Sequence, residues 1–318
     1  MADYPITSLA GSSGASGSNV LLRFLSARII RAVRNRGNPL AKISNVSGDL
    51  AQLGQKVGIP ISPNKTAALM TDGSSIVLDD SPGTTFDITL NRQRLSNFSI
   101  TAVDQAMAGD VQATLAMDSA ITALLNGIEE DVMSVATASF TTNSAVGTYN
   151  TAITEAVISQ GVEALLGQRP PTGDAFLGFI KSGTTSWGAI MQLANFVQAY
   201  TVGTGSNGVL SPAHSTEYGN GQLWHNTRWY MVNAMPQSGT STDGLILHPQ
   251  AIAVAFRQPA PPTAGTGAMA EMVSDPESGI AFQVVQQWDG ARQANQIVVK
   301  SLYGYGVPKE QFGQQIKS

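Results

Sequence analysis

Cysteine is absent from all 318 residues of the chain. Its absence removes disulfides, thiolate metal sites and thiol nucleophiles together, and it fits synthesis in a reducing compartment. Charge is scarce as well: Asp, Glu, Lys and Arg make up 13% of the residues, against roughly 25% in ordinary globular chains. Such a thinly charged surface leaves neutral area that invites association. A subunit largely covered by its neighbours is therefore expected rather than a lone monomer. The formal net charge of -4 argues against a protein that grips nucleic acid over its whole surface, while a local basic patch stays open.

No run approaches about 18 consecutive apolar residues, and the opening MADYPITSLAGSSGASGSN has neither a basic nor an apolar leader region. Neither export nor a membrane span is expected. Histidine is limited to His214, His225 and His248, which lie far apart with no acid at a useful helical offset. The spacings of the P-loop, HExxH, the GxSxG nucleophile elbow and the calcium loop do not occur. Two stretches imitate a dinucleotide fingerprint: Gly203, Gly205 and Gly208 in GTGSNG, and GTGAMA at 265–270. The mechanism needs a strand before and a helix after, so that the helix N-terminus meets pyrophosphate. Pro212 follows the first stretch closely and PAPP precedes the second, so both read as loops. Glu129, Glu130 and Asp131 are adjacent on a helix and splay around it, which predicts a solvated face rather than a metal site. No catalytic residue, cofactor or metal is assigned, and the chain is not read as an enzyme.

Turning to what is present, LLRFLSARIIRAVRNRGNPLAK carries Arg23, Arg28, Arg31, Arg34, Arg36 and Lys42 with no acid among them. Leu22, Leu25, Ile29 and Val33 recur at helical spacing, which predicts a basic amphipathic helix closed by Gly37 and Pro39. Protein contact is its first reading and a polynucleotide its second; as a bulky membrane anchor it offers only Phe24. The period then changes. QKVGIPI, SSIVLDDSP and TTFDITLNRQRLSNFSI are β-branched runs parted by turn residues, the strands of a long hairpin. Phe86, Ile88 and Leu90 alternate with polar neighbours, giving one apolar face that needs something to rest on.

From about 104 to 139, Met117, Ile121, Leu124, Leu125, Ile128, Val132 and Val135 form one stripe. They predict a strut-like helix of roughly 50 Å. TEAVISQGVEALLGQRPP reads as a helix stopped by Pro170 and Pro171, DAFLGFIKSG as a strand, TTSWGAIMQLANFVQAY as a helix and QLWHNTRWYMVNAMP as one aromatic strand. GLILHPQAIAVAFRQP reads as strand GLIL followed by helix PQAIAVAFR. Pro249 sits in its first turn, Ile252, Ala255 and Phe256 form the buried face, and His248 caps or packs at the joint. SGIAFQVVQQWD and ANQIVVKSLYGYG form a closing hairpin across Asp289 and Gly290.

An arm, a long hairpin, a strut-like helix, an α/β region and a terminal pair of long strands follow one another in that order. The α+β chain thereby resembles the major capsid proteins of tailed bacteriophages, with the HK97-like fold. From about residue 20 onward it is similar to the coat proteins of P22-like phages. The resemblance rests on KVGIPI, TTFDITLNRQRLSNFSI, AMDSAITALLNGIEEDVMSVA, GLILHPQAIAVAFRQ and SGIAFQVVQQWDGARQANQIVVKSLYGYGV in sequence.

The resemblance implies an N-terminal arm at 1–51, an extended loop at 52–100, and a peripheral domain at 101–149 with the spine helix. It further implies an axial α/β domain at 150–279, and closing peripheral strands with a C-terminal segment at 280–318. Arg23, Arg28, Arg31 and Arg34 would then meet neighbouring subunits or DNA, Phe86, Ile88 and Leu90 would seat the hairpin on an adjacent subunit, and Met117, Ile121 and Leu125 would pack the spine. The implied partners are further copies in pentamers and hexamers, a portal protein, a separate scaffolding protein, optionally a cementing protein, and packaged double-stranded DNA held without sequence preference. The implied place is the virion shell, made in the host bacterial cytoplasm, with no membrane partner. A separate scaffold follows because the hairpin begins near residue 52. The lysine-to-asparagine weld of some members is not carried over to Lys56 or Lys65. An encapsulin-like shell around protein cargo is the alternative within the class, and a dinucleotide-binding oxidoreductase the alternative outside it.

Overall fold

The computed structural model describes residues 29, 40, 43–45, 56–61, 84–171, 174–193, 222–224, 226–232, 235, 243–263, 268–275 and 279–318, with backbone alone for 44–45, 102–114 and 222–224. Arg23, Arg28, Arg31 and Arg34, the run SSIVLDDSP, Lys65, His214, His225 and GTGSNG lie outside the described residues.

The elements in order are β1 (Ser44–Asn45), β2 (Lys56–Ile61), β3 (Thr84–Thr89), β4 (Arg92–Thr101), α1 (Ala102–Ser139), β5 (Val146–Gly147), α2 (Glu155–Gly167), β6 (Phe176–Lys181), α3 (Trp187–Ile190), β7 (Gln222–Trp224), β8 (Thr227–Val232), β9 (Gly244–Leu247), β10 (Ala253–Arg257), β11 (Met269–Ser274), β12 (Ala281–Asp289), β13 (Ala294–Gly306) and β14 (Gly313–Lys317). The chain is thus mixed α+β and rich in strand.

Three sheets organise these elements. In the first, β13 is the hub. It pairs with β12 through Ala294–Lys300, with β10 through Leu302–Gly306, and along its other edge with β4, from Arg92↔Tyr303 to Thr101↔Ala294. The second sheet runs β5-β14-β9-β6-β8-β7, and the third is the two-stranded β2-β3 hairpin stem. The turn expected at Asp289 and Gly290 is a connection at Gly290–Gln293. There the Asp289 carboxylate accepts the Ala291 and Arg292 amides at 3.0 and 3.3 Å, an Asx turn, and Gln293 takes a positive φ of 47°.

α1, 38 residues long, lays its stripe on the inner face of the first sheet. Met117, Ile121, Leu124, Leu125, Ile128 and Val132 are buried with Phe282, Val284, Ile297 and Val299 in one core. Val135 departs from the expected stripe and is half-buried; Met133 and Ala136 are buried instead, because 3.6 residues per turn carries the stripe around the helix over its length. The same core takes in Ile29, Leu40 and Ile43 from the N-terminal segment and Phe179, Leu245 and Leu247 from the second sheet. The other face of that sheet packs under α2 through Ile158, Val162 and Leu165 with Phe176, Ile180 and Trp229. β6 is buried on both faces, with Leu177 and Phe179 in the main core and Phe176 and Ile180 under α2, and β8 and β9 cover its two edges. A Cβ at Gly178 would stand 2.4 Å from the Trp229 ring.

Two sequence expectations change. AVAFR forms a strand, β10, rather than a helix. Its small and large side chains alternate: Val254 and Phe256 enter the main core, while Ala253 and Ala255 face the hairpin stem. That is a period of two, and a short apolar run buried on both faces cannot be told from a helix by hydrophobicity alone. QLWHNTRWYMV is two antiparallel strands, β7 and β8, joined where Asn226 takes φ 57°, a left-handed position that asparagine tolerates better than most residues.

Candidate functional site

The hairpin joins the body of the protein where β3 ends and β4 begins, at Leu90 and Asn91. On the stem, Val57 stands opposite Ile88 and Ile59 opposite Phe86, so all four share one face as cross-strand pairs. The face rests on a floor of small residues. Ala253 pairs with Gly306 and Ala255 with Gly304, which places two alanines and two glycines side by side. A Cβ at Gly304 would lie 2.4 Å from the Thr89 carbonyl oxygen, and one at Gly306 would lie 2.4 Å from the Phe86 ring. Only glycine permits this approach. Ile88 and Leu90 are buried there with Val57, Ala253 and Ala255, with Phe86 half-buried beside them. These side chains therefore pack within their own chain, and the stem's outward residues on β3 are Thr85, Asp87 and Thr89. Lys56 and Asp87 approach to 4.0 Å on that outer side with both side chains more than half exposed, a pair that adds little stability.

Successive residues of a strand point to opposite faces, so Tyr303 and Tyr305 lie on the side of β13 away from the glycine floor. There Asp131 of α1 gathers three partners. Arg94 of β4 donates two hydrogen bonds to it, Nε to Oδ2 at 2.9 Å and NH2 to Oδ1 at 2.7 Å. The Tyr303 hydroxyl donates to Oδ2. Arg92 brings its guanidinium to 3.9 Å from Oδ1 and lies over the Tyr305 ring at 5.1 Å. Gly127, one helical turn before Asp131, makes room for the Arg94 side chain, since a Cβ there would meet its guanidinium at 2.6 Å. The paired fork geometry is the strong form of the Arg–carboxylate contact.

Partial burial pushes the Asp131 carboxyl upward, and the hydrogen bonds from Arg94 and Tyr303 more than offset it, holding the pKa below the usual carboxylate value. The hydrogen bond to Asp131 raises Arg94 further above its ordinary value, and burial, then Asp131, raises Tyr303. A lowered carboxyl contributes stability that is present above its unfolded pKa and disappears as pH falls through the folded one. The cluster is therefore charged throughout the neutral range. The run Glu129, Glu130, Asp131 is accordingly no uniform solvated face: Glu130 is exposed, Glu129 is buried and Asp131 is the hub of the cluster. Arg92, Arg94 and Tyr303 have no local sequence signature. Glycine at every second position of a strand, as in YGYG, is the signal that could have found the floor.

His248 is fully buried, edge-on to Phe176 and Phe312 with centroids at 6.3 and 5.8 Å. Its Nδ1 accepts the Gln250 amide at 3.3 Å, which puts the ring proton on Nε2. It packs at a strand-to-turn joint, since β9 ends at Leu247 and a turn leads to β10. Desolvation lowers its pKa. The native ring stays neutral where the unfolded ring would take up a proton, so stability falls as pH drops below about 6.5. His248→Phe is expected to keep the ring packing and flatten the stability-against-pH curve between pH 7 and 5, checked by urea unfolding at each pH. An unchanged slope would place the proton-linked group elsewhere.

GTGAMA runs into β11, a strand, and not into the helix that a dinucleotide site requires. Among the described residues, no three His, Asp or Glu side chains gather at metal-binding distance, and no helix is long and apolar enough to cross a membrane.

No protein-family model matches the chain, and neither does any curated protein. Solved structures do match by fold. The capsid of Ralstonia phage GP4 superposes with a TM-score of 0.56 at 11% identity, over 86% of this chain and 86% of that one. The capsid of the cyanophage P-SCSP1u gives 0.52 at 13% identity, over 87% and 86%. The mature capsid of bacteriophage PhiM1 gives 0.51 at 12% identity, over 87% and 85%. The chain has the HK97-like fold of phage capsid proteins.

Proposed function

We propose that the protein is a major capsid protein, a structural subunit that assembles with copies of itself into a closed icosahedral shell around double-stranded DNA. The observation that carries this reading is the fold shared along most of the chain with three phage capsids. The physical character of the chain supports it. With 13% charged residues, Leu95 60% exposed on β4 and Trp288 52% exposed on β12, the surface offers neutral and apolar area suited to contact. Heterologous contacts that close into rings give pentamers and hexamers, and many modest contacts acting together hold a shell that no one of them would hold.

In this reading the β2-β3 hairpin is the extended loop that reaches a neighbour, α1 is the spine, the first sheet with α1 is the peripheral domain, and the second sheet with α2 is the axial domain. The hairpin's seat inside its own chain supports that assignment, because Ile88 and Leu90 fix its root against Ala253 and Ala255. Met117, Ile121 and Leu125 serve the spine as core. The basic run holding Arg23, Arg28, Arg31 and Arg34 is assigned to neighbours or DNA on its sequence alone. A portal protein and a separate scaffolding protein are the further partners, a cementing protein is optional, and the virion shell is the place.

Sedimentation velocity over a rising concentration series tests the proposal. A threshold above which fast-sedimenting closed particles coexist with small oligomers is expected. A single 33.2 kDa species at every concentration, with or without scaffold, would contradict it.

A further inference from the structure

Helix α1 runs for 38 residues and has no local instruction to stop. Ser139 is followed by FTTNS, with no glycine to take a left-handed cap, and the last turn carries no basic residue. The last carbonyls of a helix have no partner inside it, so each must find one elsewhere. Ala136 accepts the Phe140 amide at 3.1 Å and Ser139 accepts the Thr141 amide at 2.8 Å. The Thr137 and Phe140 carbonyls accept from one side chain, that of Gln315, whose Nε2 lies 2.6 and 2.9 Å from them. Gln315 stands on β14, 178 residues from Thr137, and β14 is an inner strand of the second sheet, between β5 and β9. Two further observations put the same strand against the same helix end. Gly313 lies against the Phe140 ring, where any Cβ would collide with it, and Phe140 is fully buried. Asn143 donates through its amide nitrogen to the Gln311 and Gly313 carbonyls at 3.1 Å each. It accepts from Nε2 of Gln168, just past the end of α2, at 3.0 Å. Carbonyl oxygens only accept, which fixes the orientation of the Asn143 and Gln315 amides.

We propose that Gln315 is the C-cap of α1, supplied from another sheet, and that with Asn143 it forms a non-ionic clamp that sets where the helix ends and holds that end on β14. Removing the cap leaves two carbonyls of the last turn without their partners, and a helix end in that condition frays. The clamp is built of neutral amides, so neither protonation nor salt acts on it directly. The Asp131 cluster on the same helix is ionic. α1 is thus tied to the first sheet by charge and to the second by amides. Its consequence for assembly, that both sheets are presented to neighbouring subunits in one arrangement, rests on the shell reading. The clamp itself does not, and it is a property of the single chain.

Hydrogen exchange and pH-dependent unfolding of the full chain test it. Gln315→Leu keeps most of the side-chain volume and removes the donor. It is expected to speed exchange about tenfold, the loss of two modest hydrogen bonds, at the amides of Thr137, Ala138, Ser139 and Phe140. Leu124, Leu125 and Ile128 in the middle of α1 are expected to keep the wild-type rate. Gln315→Glu separates capping from packing. Its carboxylate would face two carbonyl oxygens, which raises its folded pKa above the unfolded value of about 4.3. The stability of the protonated form is then present below the unfolded pKa and is lost as pH rises through the folded one. Measured against wild type at the same pH, Gln315→Glu is expected to be destabilised at about pH 7 and much closer to wild type at about pH 4, where the carboxyl can donate to one carbonyl. An unchanged last turn in Gln315→Leu would overturn the clamp. Exchange that rises equally along all of α1 would overturn it as well, since the residue would then hold the whole helix and not its end. A Gln315→Glu penalty of the same size at both pH values would do the same, since the loss would then be one of packing. Both measurements read the single chain, so their failure and a failure to form particles are distinguishable.

Discussion

Gly304→Val is expected to unseat the hairpin and abolish particle formation while the chain stays folded around its main core. A Cβ at this position would stand 2.4 Å from the Thr89 carbonyl oxygen and 2.9 Å from its carbon. Both are backbone atoms, so no rotamer change relieves the clash, and the stem must lift away from β13. Lifting it exposes Ile88 and Leu90, each worth roughly 1.5–3 kcal/mol when buried, and overpacking adds about 1–3 kcal/mol. The comparison that isolates the cause is Gly306→Ala. There the obstacle is the edge of the Phe86 ring, a side chain that is only half-buried and can swing aside, so a milder loss is expected. Thermal unfolding together with stem-specific hydrogen exchange checks both. Equal effects of the two substitutions would mean that the backbone contact at Thr89 is not what limits the seat.

The second large effect is expected from Leu125→Ala in α1. Leu125 is 1% exposed in the core that joins the helix to both sheets. Truncating it leaves a cavity among side chains anchored on three elements, which restricts collapse, and the expected loss is about 2–5 kcal/mol. The same truncation at Leu115, 63% exposed on the same helix, is expected to shift stability by no more than about 0.5 kcal/mol. Denaturant unfolding of the two variants side by side measures the difference. A Leu125→Ala chain as stable as the wild type would mean that α1 is not held by its stripe.

Local periodicity made much of this architecture readable from the sequence. Alternation in TTFDIT, the stripe from Met117 to Val132, and the long β-branched runs at the end each follow from one element's own geometry, and each is present where the pattern put it. AVAFR failed because its four apolar residues satisfy both periods, and Pro249 nearby suggested a helix start. The decisive fact, that Ala253 and Ala255 lie against Gly306 and Gly304, belongs to a partner strand 49 to 53 residues on. The Asp131 cluster was invisible for the same reason. Arg94 lies 37 residues from Asp131 and Tyr303 lies 172 residues from it, and an acid in the run EED gives no local sign of whether an arginine from another element will reach it. His248 was legible in kind: one histidine beside a proline with no acid at hand proved to be a packed, neutral ring.

The reading of the hairpin changes most. An apolar face on a long hairpin suggested a surface offered to a neighbour, yet Ile88 and Leu90 close against their own chain. Anchoring the root internally leaves any contact with another copy to the stem's outer residues and to whatever lies beyond Ile61.

Imaging purified protein by electron microscopy at concentrations above the assembly threshold tests the central claim most directly. The shell account predicts closed particles of uniform diameter whose surface averages into fivefold and sixfold rings. A monodisperse single subunit at high concentration, unchanged by added scaffolding protein, would contradict it.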